Sequence, residues 1–123
     1  MKIQVLKIIS ISILLISCSS MNNKKASIEA FKQNVTYSCI SEGMQSKKYD
    51  SIVLKNDASF SYDGLMGSDF YKIDSIGRSE GKKIPRTPLE DLDKKKLIHS
   101  HCLRFYKSKE LDKIAEKWYK NKL

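Results

Sequence analysis

Residues Ala26–Met44 read ASIEAFKQNVTYSCISEGM, and the spacing of their apolar members decides the fold class. Ile28, Phe31, Val35 and Cys39 recur at intervals of three or four, with Glu29, Lys32 and Gln33 between them. That period places the apolar residues on one face of an α-helix and the charges on the other. Gly43 and Ser46 predict its end.

Toward the carboxy terminus the same period returns twice. Leu89, Leu92, Ile98, Cys102 and Phe105 predict a helix over Leu89–Lys107, with Thr87 as N-cap, Pro88 in its first turn, and Glu90, Asp91 and Asp93 complementing the positive helix end. Ser108 is placed to cap a further segment in which Leu111, Ile114, Ala115 and Trp118 share a face and Lys113, Lys117 and Lys120 face water. Phe70, Ile73 and Ile76 predict a short helix before a loop from Gly77 to Pro88. The stretch Ser51–Tyr62 is ambiguous. Its own propensity slightly favours a hairpin around Asn56-Asp57, whereas a lone hairpin in a helical chain would leave two unpaired edges, and its neighbours favour helix. The expected architecture is all-α, a small single-domain bundle of about four to five helices.

The amino terminus reads as an export signal. Lys2 and Lys7 supply a basic region, Ile8–Ile16 an apolar stretch, and Leu15-Ile16-Ser17-Cys18 a cleavage site ending in cysteine. This resembles a bacterial lipobox, which implies cleavage before Cys18 and lipidation of its thiol. The apolar run is shorter than the roughly 20 residues a bilayer span needs. The expected division is a signal peptide at 1–17, a lipidated Cys18 and polar tether at 18–25, and a helical domain at 26–123. Ser19 is not the Asp that usually holds such proteins in the inner membrane, so the resemblance implies a lipid anchor in the outer membrane, facing the periplasm.

Lipidation of Cys18 leaves Cys39 and Cys102 as an even pair, and both sit on predicted apolar helix faces. A disulfide closing 63 residues stabilises a small domain by about 4 kcal/mol on the chain-entropy model. Such a staple matters at this size, since 123 residues exclude two-domain enzymes and long repeat arrays. Six Tyr, four Phe and one Trp against two Pro and five Gly exclude a disordered chain. The formal net charge of +9 falls to about +7 without Lys2 and Lys7, which favours acidic partners.

Enzymatic and metal chemistry find little support. Cys39 or Cys102 with His99 or His101 lacks an orienting residue and an oxyanion loop. His99 and His101 stand about 200° apart around a helix axis, so they do not converge on a zinc ion. Lys82-Lys83 and Lys94–Lys96 are short runs without a nucleic-acid recognition motif. Neither a cofactor nor nucleic acid is expected.

The run from Cys102 to Leu111, CLRFYKSKEL, resembles the carboxy-terminal signature of the type VI secretion amidase immunity proteins: Cys-Leu, two variable residues, Tyr, one variable residue, Ser-Lys-Glu-Leu. Cys39-Ile40 resembles the family's Cys-Ile, and Asp57-Ala58 with Ser61 its Asp-Ala-x-x-Ser element. Arg104 and Lys107 stand where the family often has Asp and His. The resemblance implies a periplasmic inhibitor, not an enzyme, that blocks an incoming peptidoglycan amidase effector of papain-like Cys-His chemistry. In that family the inhibitor acts as a dimer, so a homodimer is one expected assembly, and a protruding loop enters the amidase cleft. The corresponding segment here is Gly77 to Pro88, with Arg78, Lys82, Lys83 and Arg86 set to meet carboxylates and Ile84 and Pro85 as an apolar tip. The rival expectation is a generic envelope lipoprotein that scaffolds assembly or carries cargo.

Overall fold

The computed structural model describes residues 2–58, 64–90 and 95–122, with side chains from residue 23 onward except that of Leu54. Among these residues the order is α1 (Lys2–Met44), α2 (Lys47–Asn56), α3 (Gly67–Gly81), α4 (Ile98–Tyr106) and α5 (Lys109–Lys120). No strand occurs among them, and the single β-type pairing is an isolated antiparallel bridge between Arg86 and Lys96. The domain is all-α, as the periodicity predicts.

α1 is the spine. No Gly or Pro precedes Gly43, so nothing interrupts the backbone ladder, and the helix runs through Ser19–Lys25, the stretch read as a tether. Its apolar face buries Ala30, Phe31, Val35 and Cys39. Asn34 and Thr36 are buried with it and return their side-chain donors to the carbonyls of Ala30 and Lys32, at 2.9 Å each. The helix ends where Gln45 turns into the left-handed region at φ 48°. Ser46 then caps α2, accepting the Tyr49 amide at 3.2 Å, and Ser41 ties the two helices by donating to Asp50 at 2.6 Å. The ambiguous Ser51–Tyr62 stretch is helical as far as Asn56; Phe60, Ser61 and Tyr62 lie outside the described residues.

α3 is longer than its apolar triplet predicts. Gly77 and Gly81, one turn apart, lie inside it and are both buried against α1. A Cβ on Gly81 would meet the Cβ of Glu42 at 2.6 Å and the Cys39 carbonyl at 2.7 Å. These glycines are contact points between two helix backbones, so the expected loop beginning at Gly77 is corrected to one beginning at Lys82.

The predicted helix over Leu89–Lys107 is corrected too, since among the described residues of that span the α-helix covers only Ile98–Tyr106. Upstream, the Thr87 amide donates to the Lys95 carbonyl at 2.9 Å and the Leu97 amide to Pro85 at 3.2 Å. The backbone is thereby satisfied as a short ribbon rather than a helical turn. Thr87 still accepts the Leu89 amide at 3.2 Å, which closes a local turn. Leu89 is 61% exposed, so its place in an apolar stripe was accidental; Leu92, Asp91 and Asp93 lie outside the described residues.

Ser108 caps α5 as expected, accepting the Leu111 amide at 3.1 Å. The main core joins Ala30, Phe31, Val35, Leu65, Ile73, Phe105, Leu111, Ala115 and Trp118. Trp118 stacks on Phe31 with ring centroids 4.6 Å apart, and its indole N–H donates to Asp69 at 2.8 Å. Burial pushes the Asp69 carboxyl up, but hydrogen bonds from Trp118, the Met66 amide and Lys122 outweigh it and hold the group below the usual aspartate value.

Candidate functional site

A second, smaller apolar cluster consists of Cys39, Cys102 and Ile84, with Ile40 and Ile98 packed on it. Cys39 and Cys102 form the expected disulfide, joining α1 to α4 with Cα atoms 5.9 Å apart and both residues fully buried. Ile84 and Ile98 are the two ends of the segment between α3 and α4. The described residues of that segment, 82–90 and 95–97, therefore form the two limbs of a finger, with both roots seated on the disulfide and the limbs paired at Arg86 and Lys96; residues 91–94 lie outside the described residues.

The site residues expected from sequence divide on this frame. Lys82, Pro85 and Arg86 are exposed on the finger. Arg78 is not on the loop: it belongs to α3, where it donates to Asp74 at 2.8 Å and Glu42 at 3.1 Å. Those two acceptors hold its guanidinium above the usual arginine value. Ile84 is 7% exposed, so it anchors the finger rather than tipping it. Lys83 reaches the half-buried Glu80 at 2.8 Å, and His101 meets the other oxygen of Glu80 at 2.8 Å. Burial pushes the Glu80 carboxyl up, yet the hydrogen bonds from Lys83 and His101 outweigh it and keep the group below its ordinary value. This cluster braces the first limb against α4.

The finger also carries groups that the sequence reading placed in a helix. Lys95 and Lys96 stand exposed on the second limb, and Pro88 and Leu89 are exposed apolar residues beyond the pairing on the first. A signal for them existed in the two prolines, because Ile84 and Thr87 each precede one and are biased toward extended backbone. Arg86 faces Lys96 across the bridge, and like charges in opposite positions repel. Neither forms an ion pair among the described residues.

Elsewhere, Asn34, Tyr37, Ser38, Val53, Phe70 and Asp74 are among the residues lining a cleft of about 650 Å³ between α1, α2 and α3. No group of three His, Cys, Asp or Glu among the described residues is arranged to hold a metal ion. Cys18 lies on α1, with its side chain outside the described residues. No family model, curated protein or solved structure matches this chain.

Proposed function

We propose that this chain is an exported, lipid-anchored inhibitor that protects the cell wall by binding a type VI secreted peptidoglycan amidase, and that the finger 82–97 is the element it presents. The observation that carries this reading is the finger itself. Its roots are fixed on a buried disulfide, and its described exposed part joins apolar Pro88 and Leu89 to cations at Lys82, Arg86, Lys95 and Lys96, with one anion at Glu90. A segment so held loses little conformational entropy on binding, and Arg86 and Lys96, without an ion pair among the described residues, gain when a partner supplies carboxylates. A groove that accepts the acidic stem peptide of peptidoglycan suits such a segment. The lipobox and the disulfide both agree with a periplasmic location.

A carrier reading finds its one observation in the cleft between α1, α2 and α3. Its wall mixes Val53, Phe70, Tyr71 and Ile73 with Asn34, Ser38, Asp57 and Asp74.

The test is titration of an exported cysteine amidase encoded beside this chain, acting on purified peptidoglycan. Stoichiometric loss of activity is expected. Full activity at excess of this protein, for every such amidase, overturns the reading.

A further inference from the structure

The contacts along α1 place every other element at a height above Cys18. At 1.5 Å per residue, Phe31 lies about 20 Å from Cys18 along the helix, and Gly43 about 38 Å. α5 belongs to the lower level. It begins just after Tyr106, whose hydroxyl donates to Glu29; Asp112 pairs with Lys32 at 2.5 Å, and Trp118 stacks on Phe31. Its last turn also reaches Asp69 at the start of α3. The finger belongs to the upper level, since a Cβ on Gly43 would touch Ile84 at 2.7 Å and Ile98 at 2.9 Å.

The charge pattern matches these heights. α5 turns Leu111, Ala115 and Trp118 into the core, and Lys109, Lys113, Lys117 and Lys120 lie exposed on the opposite face. Glu110 and Glu116 share that exposed side, and Lys24 and Lys25 add two exposed cations nearer still to Cys18. None of the six lysines is ion-paired among the described residues. A basic amphipathic helix close to a lipidated residue is the chemistry that meets anionic headgroups.

We propose that the lysine face of α5, with Lys24 and Lys25, rests on the anionic phospholipid headgroups of the membrane that holds Cys18, and that α1 thereby stands as a stalk with the finger pointing away from the bilayer. The proposal rests on the lipid-anchor part of the functional reading and is independent of amidase inhibition. Presenting the finger about 40 Å out would let it meet a partner at the wall rather than at the membrane.

The single Trp makes this measurable. The lipidated protein is reconstituted in phosphatidylethanolamine–phosphatidylglycerol vesicles carrying a dansyl lipid, and energy transfer from Trp118 is compared with that from a Trp118→Phe, Leu89→Trp variant whose helicity matches the parent. Strong transfer from Trp118 and little from position 89 is expected; equal transfer overturns the upright stance. Changing Lys109, Lys113, Lys117 and Lys120 to Gln, or using neutral phosphatidylcholine vesicles, should lower the Trp118 signal, and an unchanged signal in both overturns the headgroup contact. A Cys18→Ser chain should leave the vesicles, and its retention overturns the anchor. Amidase inhibition, measured separately, can stand or fall without altering any of these outcomes.

Discussion

Gly77 of α3 lies over Ser38 of α1 so closely that no side-chain carbon fits between the two helices. A Cβ there would run into the Ser38 Cβ and the Val35 carbonyl, both far inside van der Waals contact, and would crowd the Cys39 amide at 3.0 Å. The contact sets the register of α3 on α1. That register carries Asp69 down to Trp118 and Gly81 up to Cys39, so the height of the finger follows from it.

Gly77→Ala is therefore expected to destabilise the domain by about 3 kcal/mol, the upper range for overpacking, because the obstructing atoms include backbone that cannot rotate away. Gly67→Ala is the contrast. Its Cβ would meet nothing within 4 Å, and it sits in the first turn of α3, so the change should be neutral or stabilising by up to about 1 kcal/mol. Urea unfolding followed through Trp118 distinguishes the two.

Removal of the disulfide in a Cys39→Ala, Cys102→Ala variant should cost about 2–5 kcal/mol. The loss should be uneven, because Ile84 and Ile98 rest on these sulfurs while α5 packs on the other core. Amide exchange at Thr87 and Leu97 is expected to accelerate before that of Leu111 and Ala115. Uniform acceleration would show that the finger is not rooted there.

How much of this was legible in the sequence depends on what each residue was doing. The helical stripes of α1 and α5 were plain because Phe31, Val35, Leu111 and Trp118 face a single core, and burial on one side writes the 3.6 period. The disulfide is legible because setting Cys18 aside for lipidation leaves Cys39 and Cys102 as a pair, both on apolar helix faces. The finger was misplaced for two physical reasons. Gly77 and Gly81 look like chain breakers until a second helix is laid against them, and a contact between backbones leaves no hydrophobic pattern. Leu89 falls in the predicted helical stripe while remaining exposed, so a tertiary feature, the ribbon pairing of Arg86 with Lys96, overrides the local pattern. Lys82 and Arg86 are exposed on this segment, whereas Arg78 and Ile84 are bound to the fold.

Acid sensitivity should trace to Glu80 and Asp69. Both native values lie below the ordinary 4.5 and 3.8, so each group's contribution is complete above its ordinary value and is lost as pH falls through the lower native one. Glu80→Gln should be less stable than the parent at pH 7, and the gap should close below about pH 4. Thermal unfolding at stepped pH checks the sign: a gap that widens on acidification would mean that the contacts from Lys83 and His101 do not favour the charged carboxylate.

Finally, stability and inhibition should separate between two arginines eight positions apart in the sequence. Arg78 is committed to Asp74 and Glu42 but stays 45% exposed, so Arg78→Ser should cost no more than about 1 kcal/mol of stability and leave inhibition intact. Arg86 faces Lys96 with no ion pair among the described residues, so Arg86→Ser removes a repulsion and should leave stability unchanged or slightly higher. If Arg86 meets a carboxylate in the amidase groove, its loss forfeits a charge-assisted hydrogen bond of about 2 kcal/mol, or roughly thirtyfold in inhibition. Urea midpoints and inhibition constants for both variants decide the matter. The opposite assignment, inhibition lost with Arg78 and kept without Arg86, would move the binding surface from the finger to the exposed side of α3.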